Sequence, residues 1–409
     1  MNRRDWVKTA AYLSGGFVAL PGTAAMQTSH NPYFTQLNTQ LKAHGPGRPV
    51  MLLDLARMNH NIDQLVQSVG KQKTYRVVVK SLPSIPLLQH VMQRASTRAL
   101  MVFHQPFLNE VADAFPDSDV LLGKPMPVQA AATFYNKLNN SKFDAARQVQ
   151  WLIDSQTRLE QYLQLAQTLG VRMGINLEIN VGLYRGGLES PAATQAALKT
   201  IKAHPQHLHL RGLMGYEPHL TGLKADLAHP AVQQVLALYQ GHIAQVNAAG
   251  YNPDTLTLNG AGSHTLKIYQ NDNTMNDLAA GSGVVMPTDF DTHHLTNHQP
   301  ALFIATPILK RYRNNPVMPQ PPANMQQVYY IYGGYWKADM VSPEQTGETL
   351  YKSTNQSPIT TSADVTLDVD DYMFLRPTQS EFVMLQFGDL MTVRDGKLAD
   401  TWPVFQQTG

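Results

Sequence analysis

Apolar residues follow two alternating spacings between residues 48 and 295. The stretch from Ala56 to Val69 places Met58, Ile62 and Leu65 three and four positions apart, which predicts an amphipathic helix. Similar helical spacing occurs through Leu108 and Val111, near Ala130 to Leu138, in a long stretch up to Leu169, and around Ala192 to Ala203 and Val232 to Ala248. The short apolar runs between them predict strands at Arg48 to Leu55, Thr74 to Lys80, Ala99 to His104, Val120 to Leu122, Val149 to Ile153, Gly174 to Ile179, Leu208 to Gly215, Leu256 to Leu258 and Leu278 to Val285.

Strands that alternate with helices predict a parallel sheet, and their number indicates that it closes. Counting from the strand that ends at Lys80 to the strand Leu278 to Val285 gives about the eight strands of a (β/α)8 barrel. The strand near residues 50–55 is left over, and we expect it to pair in a second domain. We therefore assign residues 27–47 to a linker with a short helix, residues 48–295 to the barrel and residues 296–409 to the second domain.

Helical spacing disappears after His294, and short alternating runs replace it. These runs predict strands at Ala301 to Ile308, Gln327 to Tyr332, Asp364 to Leu367, Met384 to Phe387 and Met391 to Arg394. The segment from Asn315 to Pro322 is rich in proline and predicts a loop, and Asp395-Gly396 is a turn signal between the last strands. The predicted fold class is thus α/β: a (β/α)8 TIM barrel followed by a mainly antiparallel β domain.

Composition and charge limit the possible partners of the protein. The chain has 409 residues, of which 43% are hydrophobic and 15% charged, as in a globular protein. Its 32 basic and 30 acidic residues give a net charge of +2, which provides no field for nucleic acid or an anionic membrane. The absence of cysteine excludes disulfides, thiolate zinc sites and a cysteine nucleophile. A small-molecule substrate is therefore the expected partner.

The first 26 residues have the pattern of a secretory signal. Arg3 and Arg4 precede Trp6 and Lys8, and a mildly apolar segment with small residues follows. This segment is too short and too rich in glycine to span a bilayer, and the paired arginines resemble a twin-arginine signal. We expect residues 1–26 to direct export to the periplasm, with an amphipathic amino-terminal helix as the alternative. No other segment is apolar enough to cross a membrane.

Lys80 ends a run of three valines, so it lies at the carboxyl end of the predicted first barrel strand, where barrel enzymes place their chemistry. A surface lysine that marks a strand end is the alternative. The last two barrel strands end in two glycine clusters, Asn259 to His264 and Gly281 to Gly283. Loops at these positions often bind phosphate through backbone N–H groups, and glycine lets that backbone approach closely. The residues expected to hold the phosphate are Gly260, Ala261, Gly262, Ser263, Gly281 and Ser282.

A lysine and a phosphate site in one barrel mouth indicate pyridoxal 5′-phosphate, bound as a Schiff base to Lys80. The amine must be neutral to attack the aldehyde of this cofactor, and a partly desolvated barrel mouth favours the neutral form. The phosphate then serves as an anchor, while the chemistry takes place at the imine.

Several stretches of the chain, taken in order, resemble one known family. They are Met51 to Leu55, Arg76 to Lys80, Glu178 to Gly187, Gly212 to His219 and the loop at Gly260. They are similar to the fold-type III pyridoxal enzymes, in particular to the D-threonine aldolase and D-serine dehydratase branch, whose barrel resembles that of alanine racemase. The resemblance covers nearly all of the chain after the signal. It implies a small D-amino acid as substrate, and a homodimer that pairs each barrel mouth with the neighbour's second domain.

The resemblance also implies roles for individual residues. Lys80 matches the Schiff-base lysine, and Arg76 matches the arginine that precedes it in the same strand and helps to bind the cofactor. Arg185 matches an arginine near the cofactor ring and the substrate, and Tyr216 matches a tyrosine close to the pyridine ring. Lys80, Arg185 and Tyr216 are therefore the catalytic candidates. A helix cap or salt bridge remains the alternative for Arg185, and simple packing the alternative for Tyr216.

The chain departs from the family pattern at three places. Ser81 to Pro83 replaces polar residues that follow the Schiff-base lysine, and Pro218 replaces a glycine. In the second domain the family carries a metal-binding histidine followed two residues later by aspartate or cysteine, where this chain has Gln379 and Glu381. An amide is a poor ligand for zinc or manganese, so we expect no metal, or at most weak binding at Glu381. Gln379 and Glu381 are then either substrate-binding residues or ordinary strand residues.

Together these patterns predict a pyridoxal-phosphate enzyme that acts on a small D-amino acid through a Lys80 Schiff base, by retro-aldol cleavage of a D-β-hydroxy amino acid or by β-elimination. His219 and His264 are further candidates for substrate contacts or proton transfer. An amino-acid racemase is the alternative, with a second base from the tyrosines between Tyr329 and Tyr335. A pyridoxal-phosphate-binding protein without turnover, and a barrel enzyme that uses no pyridoxal, are alternatives of other classes.

Overall fold

The computed structural model describes residues 29–313, 325, 327–344 and 346–406. The predicted signal over residues 1–26 and the proline-rich segment from Asn315 to Pro322 lie outside the described residues. The α-helices are α1 (Pro32–His44), α2 (Leu55–Val69), α3 (Ile85–Ala95), α4 (Gln105–Ala114), α5 (Val128–Lys137), α6 (Ala145–Gln148), α7 (Gln156–Leu169), α8 (Pro191–Ala203), α9 (Pro230–Ala248) and α10 (Glu381–Leu385). The strands are β1 (Val50–Asp54), β2 (Thr74–Val78), β3 (Ala99–Val102), β4 (Asp119–Leu122), β5 (Val149–Ile153), β6 (Met173–Glu178), β7 (Leu208–Met214), β8 (Thr257–Gly260), β9 (Asp277–Ala280), β10 (Leu302–Arg313), β11 (Gln327–Tyr332), β12 (Ala338–Ser342), β13 (Thr346–Thr349), β14 (Gln356–Thr361), β15 (Tyr372–Pro377), β16 (Asp389–Arg394) and β17 (Lys397–Pro403).

Strands β2 to β9 form a closed parallel barrel, which confirms the predicted (β/α)8 fold. The barrel closes where β9 pairs with β2, with Arg76 opposite Ala279. The apolar runs form these strands because a parallel barrel is covered on both faces, and every residue of β5 is buried, for example. Helix α2 buries the predicted apolar stripe of Met58, Ile62 and Leu65.

The second domain is a sheet with the order β13-β14-β11-β10-β1-β16-β17, in which β15 pairs with both β10 and β12. Strand β1 precedes the barrel in the chain but lies within this sheet, antiparallel to β10 and parallel to β16. Leu52 of β1 and Phe303 of β10 join Phe34 and Leu37 of α1 in a hydrophobic cluster separate from the main core. The chain therefore begins the second domain before it builds the barrel.

Two strands predicted in the second domain are wrong. The run from Met384 to Phe387 lies in the end of α10 and the turn after it, because a short apolar run suits a helical turn as well as a strand. The run from Asp364 to Leu367 is irregular, and its carbonyl groups accept hydrogen bonds from a side chain. The hydroxyl of Tyr329 donates to the carbonyl oxygen of Val365 at 3.0 Å and to that of Leu367 at 3.1 Å. The hydrophobic pattern also misses β12 to β15, of which β13 and β14 hold mainly polar residues.

The second domain packs against the carboxyl ends of the barrel strands. Arg376 of β15 donates to the carbonyl oxygen of Met286 at 2.8 Å and forms an ion pair with Asp291 at 2.6 Å. Just beyond β15, the hydroxyl of Ser380 lies 3.3 Å from that of Ser282. These contacts hold the start of α10 at the mouth of the barrel. Within the described part of the chain, no helix has the length and apolar character needed to cross a membrane.

Candidate active site

A cavity lies at the carboxyl ends of the barrel strands, where the second domain meets the barrel mouth. Aromatic residues form part of its wall, with Phe103 following β3 and Phe290 following β9. Most of the predicted site residues also line it, namely Lys80, Arg185, Tyr216, Ala261, Gly262, Ser263, His264, Gly281, Ser282 and Glu381. The fold thus brings side chains from both domains to a single site.

Lys80 lies in a single 3-10 turn, Val79–Ser81, that directly follows β2. Its Nζ atom is 2.8 Å from Oε1 of Glu381 and 4.9 Å from the centre of the Phe103 ring. The Lys80 side chain is 40% exposed, so a small molecule that enters the mouth can reach the amine. This is the location that the sequence predicted for the Schiff-base lysine.

The two glycine loops lie side by side and are tied together by Ser263. Its Oγ atom accepts hydrogen bonds from the N–H of Gly281 at 3.3 Å and from the N–H of Gly283 at 3.1 Å. Glycine is required at Gly281 because a Cβ atom there would lie 2.8 Å from the Cβ atoms of both Ser81 and Val78. The loops can approach each other and the end of β2 only without side chains at these positions.

Gly262 keeps space free beside Tyr216, since a Cβ atom on it would lie 2.9 Å from Cε2 of that ring. Gly260, the last residue of β8, does not line the cavity. A Cβ atom on it would overlap the sulfur of Met275, so the absence of a side chain at Gly260 allows Met275 to pack against the end of β8.

Ser81, one of the departures from the family pattern, belongs to a chain of hydroxyl groups at the base of the cavity. The hydroxyl of Ser282 donates to Ser81 Oγ at 3.0 Å, and Ser81 in turn donates to Oε1 of Glu381 at 3.4 Å. Ser380 donates to Ser282 at 3.3 Å. The serines therefore link the lysine turn, the second glycine loop and the second domain.

Glu217 is a buried residue next to the site that sequence reasoning missed, although it stands between Tyr216 and Pro218 in a stretch already singled out. Its carboxyl group is fully buried and accepts hydrogen bonds from the hydroxyl of Thr265 at 2.6 Å and the N–H of Ala261 at 3.3 Å. Burial raises the pKa of Glu217 to about 7. Glu217 thus shapes the first glycine loop from beneath, and only its neighbours in the motif could have indicated it.

Arg185 and Tyr216 meet in the wall of the cavity. The guanidinium carbon of Arg185 lies 5.1 Å from the centre of the Tyr216 ring, within cation–π range. Burial raises the pKa of Tyr216 to about 12, so its phenol is a neutral hydrogen-bond donor at physiological pH. Burial also raises the pKa of Glu178, against the opposing effect of Arg185. The loop that carries Arg185 is shaped by Asn180, whose side-chain oxygen accepts from two backbone N–H groups.

Arg76 does not lie at this cavity, which corrects its predicted role at the cofactor. It sits at the opposite, amino-terminal end of the barrel, where its guanidinium pairs with Asp277 and Asp119, each at 2.8 Å. It also donates to the carbonyl oxygen of Leu100 at 2.9 Å. The side chain is only 2% exposed, and its partners hold it in the barrel interior. Arg76 is therefore a structural residue.

Two other predicted residues also fall outside the cavity lining. His219 lies in a 3-10 turn after β7, beside Gly182, and burial lowers its pKa. Gln379 is turned to the surface, where its Nε2 donates to Oδ2 of Asp289 at 2.6 Å. Neither side chain is placed to contact a molecule in the cavity.

His264 does line the cavity and is held rigidly there. Its ring stacks on that of Phe290, with the ring centres 4.2 Å apart, and its Nδ1 lies 3.2 Å from the hydroxyl of Thr292. Burial lowers the pKa of His264, so a neutral imidazole faces the cavity. His264 is thus a candidate contact for substrate or cofactor.

The residues at the family's metal position do not fit a metal ion. Gln379 is bonded to Asp289, and Glu381 is paired with Lys80. Among the described residues, no three His, Cys, Asp or Glu side chains are grouped as ligands. We therefore derive no step through a metal.

The same cavity fits pyridoxal 5′-phosphate. Lys80 provides a primary amine for its aldehyde, and Gly262 and Gly281 leave space that side chains would fill. The hydroxyl group of Ser263 is a donor of the kind that phosphate oxygens accept, whereas the hydroxyl of Ser282 already donates to Ser81 Oγ. The N–H of Ser282 begins a 3-10 turn and so has no partner within that turn.

Comparison with known proteins agrees with this architecture. The 3-hydroxy-D-aspartate aldolase of Paracoccus denitrificans (strain Pd 1222) is 22% identical over 252 residues, which are 58% of this chain and 62% of that protein. The match thus spans less than two thirds of the relative's length.

Solved structures share the fold over most of the chain. The D-threonine aldolase of Filomicrobium marinum superposes with a TM-score of 0.70 at 16% identity, covering 87% of this chain and 96% of that one. The D-threo-3-hydroxyaspartate dehydratase of Delftia sp. HT23 superposes with a TM-score of 0.71 at 14% identity, covering 88% and 98%. At these identities the likeness shows the fold alone.

The sequence model of the family 'Alanine racemase, N-terminal domain' matches residues 53–287, more than half of the chain. The chain therefore belongs to that family.

Proposed function

We propose that this protein is a pyridoxal-phosphate-dependent lyase that acts on small D-amino acids with a β-hydroxyl group. Members of its family are pyridoxal-phosphate enzymes. The observation that carries the proposal is the position of Lys80, whose amine enters a cavity walled on another side by the two glycine loops. The names of the aldolase and dehydratase relatives support D-configured hydroxy amino acids as the substrate class.

A few residues of the cavity would bind different parts of the cofactor. Lys80 would attach it covalently, the loops at Ser263 and Ser282 would hold its phosphate, and Tyr216 would lie near its ring. When bound to an amino acid, pyridoxal phosphate withdraws electrons from Cα and so makes the bonds at that carbon easier to break.

The remaining residues act on the substrate and the solvent. Arg185 supplies a positive charge for the carboxylate of an amino acid. The phenol of Tyr216 stays protonated because its pKa is about 12, so it can donate a hydrogen bond to a molecule in the cavity. Phe103 and Phe290 limit the access of water to the reacting groups. With the cofactor bound to the substrate, the free amine of Lys80 would be the group placed to carry a proton to or from Cα.

Absorbance of the bound cofactor tests the first part of the proposal. Protein expressed with pyridoxal available should show a visible absorbance band. Treatment with borohydride should fix the cofactor covalently to Lys80, which peptide mass spectrometry detects. Lys80→Ala should lose both signals, whereas Lys310→Ala, which removes a lysine of β10 outside the cavity, should keep them. Unchanged absorbance in Lys80→Ala would refute attachment at this residue.

A product screen tests the second part. D- and L-forms of threonine, serine, 3-hydroxyaspartate and alanine should be incubated with the protein, with and without chelator. Release of an aldehyde, or of ammonia and a keto acid, from the D-hydroxy acids only would support the lyase. Interconversion of D- and L-alanine would instead identify a racemase, and absence of any turnover in cofactor-loaded protein would favour a binding protein.

We also propose export to the periplasm by the twin-arginine route and assembly as a homodimer. The basic start and small-residue segment of residues 1–26 support export, and the family resemblance supports the dimer. Replacing Arg3 and Arg4 with lysine should retain the protein in the cytoplasmic fraction. Light scattering of the purified protein should give twice the mass of the chain, and a monomeric mass would contradict the dimer.

A further inference from the structure

Glu381 is the sole carboxylate among the described residues that line the cavity, and it comes from the second domain. Its Oε1 atom contacts Nζ of Lys80 at 2.8 Å and accepts from the hydroxyl of Ser81 at 3.4 Å. No hydrogen bond to its other oxygen, Oε2, occurs in the part of the chain that the structure describes. The Glu381 side chain is 32% exposed and lines the cavity, so a small molecule that enters the mouth can reach its carboxylate.

Other titratable groups in or near the cavity are poorly suited to accept a proton from substrate. Burial raises the pKa of Tyr216 to about 12, so its phenol is protonated at neutral pH. Glu217 lies buried behind the first glycine loop and does not line the cavity. The ring of His264 is held by its stack on Phe290 and by the contact of Nδ1 with Thr292. Glu381 is therefore the available anionic acceptor.

We propose that Glu381 is the general base for the β-hydroxyl group of the substrate, a role that needs no metal ion in this protein. This inference rests on the proposed function and specifies how the same site handles a hydroxy amino acid. The helix α10 begins at Glu381, and Ser380 before it is bonded to Ser282, so the carboxylate is fixed relative to the lysine.

The proposed step balances for retro-aldol cleavage. Glu381 accepts the proton of the β-hydroxyl group, the electron pair of that O–H bond forms the C=O bond of an aldehyde, and the Cα–Cβ bond breaks with its electron pair retained at Cα. Glu381 passes this proton to the neighbouring neutral amine of Lys80. Lys80 then delivers the proton to Cα, which yields glycine, so both residues return to their starting states.

The test separates the β-hydroxyl step from chemistry at Cα. Glu381→Gln keeps the size of the side chain but removes the base. Asp63→Asn serves as the control, because it breaks an exposed ion pair with Arg94 at 2.6 Å through the same carboxylate-to-amide change, at a residue that does not line the cavity. Each protein is assayed for cofactor absorbance, for aldehyde release from D-threonine, and for exchange of the Cα proton of D-alanine in deuterium oxide by NMR. D-Alanine has no β-hydroxyl group, so its exchange does not need the proposed base.

For Glu381→Gln we expect unchanged cofactor absorbance, Cα exchange within a few-fold of the wild type, and aldehyde release lowered by about 10²- to 10⁴-fold. Glu381→Asp should recover part of that loss because it restores a carboxylate. Chelator should leave the wild-type rate unchanged, and Asp63→Asn should resemble the wild type in all three measurements.

Four results would overturn the inference. Equal losses of exchange and cleavage in Glu381→Gln would show that Glu381 only positions Lys80. Full cleavage activity in that variant would show that another group accepts the proton of the β-hydroxyl. Wild-type cleavage that stops with chelator and returns with a divalent cation would show the same. A wild type that lacks both cofactor absorbance and Cα exchange would refute the proposed function itself, and this inference with it.

Discussion

Oε1 of Glu381 lies 2.8 Å from Nζ of Lys80, so an acidic residue of the second domain meets the reactive amine of the barrel. The two residues are far apart in the chain, and they meet because Arg376 and Ser380 attach the second domain to the loops after β9. A complete site therefore requires both domains in contact.

The ion pair between Lys80 and Glu381 should contribute little to stability. The two side chains are 40% and 32% exposed, and pairs of this kind typically contribute about 0 to 1 kcal/mol. We expect Glu381→Gln to change the free energy of unfolding in urea by less than about 1 kcal/mol. A loss of several kcal/mol would mean that this pair holds the domains together.

Removal of Arg76 should destabilise the protein without affecting the cavity. Arg76→Met would leave Asp277, which is 5% exposed, without its cation, and breaking a buried pair costs about 3 to 5 kcal/mol. The exposed pair of Arg94 and Asp63 provides the control, and Arg94→Met should cost about 1 kcal/mol or less. Urea unfolding measures both. The folded fraction of Arg76→Met should bind pyridoxal phosphate with wild-type affinity. A selective loss of that affinity would instead show that Arg76 helps to bind the cofactor, as the sequence predicted.

The buried carboxyl of Glu217 should make stability fall as pH rises. Its pKa is raised from 4.5 to about 7 in the folded chain, so the folded state binds its proton more tightly than the unfolded state. The contribution of Glu217 to stability is therefore fully present below about pH 4.5 and is lost between about pH 4.5 and pH 7, by on the order of 3 kcal/mol. Glu217→Gln keeps a polar group for Thr265 and Ala261 and should remove this decline. Unfolding measured from pH 4 to pH 8 checks this, and parallel curves for the two proteins would contradict it.

Gly281 should not tolerate even a methyl group. In Gly281→Ala the new Cβ would lie 2.8 Å from Ser81 and Val78, so the lysine turn and the second glycine loop must separate. We expect weaker binding of pyridoxal phosphate and lower stability, measured by absorbance titration and thermal unfolding. Gly241→Ala is the control, because that glycine lies within α9 and its Cβ would be 3.6 Å from Pro191. This change should stabilise the helix by roughly 0.5 to 1 kcal/mol and leave cofactor binding intact.

The predictions from sequence succeeded where the signal was local. The apolar runs and the helical stripe around Ile62 fixed the order of strands and helices, and the barrel followed from their number. The second domain was harder to predict because its strands are short and partly polar. The run at Met384 proved helical, and the carbonyl groups of Val365 and Leu367 found a side-chain partner in Tyr329.

In the candidate site, too, residues with a local sequence signal were predictable and residues without one were not. Lys80 and the glycines at Gly262 and Gly281 were predictable, because the end of an apolar run indicates a strand end and glycine indicates close approach of the backbone. Arg76 was misplaced because the direction of a side chain within a barrel strand depends on its register with Asp277 and Asp119. Glu217 was missed because its burial and raised pKa arise from the loop that folds over it.

The sequence by itself determined that a lysine ends the first barrel strand opposite two glycine loops, since hydrophobic spacing and glycine positions are properties of neighbouring residues. Only the tertiary structure decided that Glu381 faces this lysine, and that Gln379 turns away to Asp289. Those contacts depend on how two separately patterned domains pack together. The physical reason is that burial and charge pairing are set by residues distant in the chain, which no local spacing encodes.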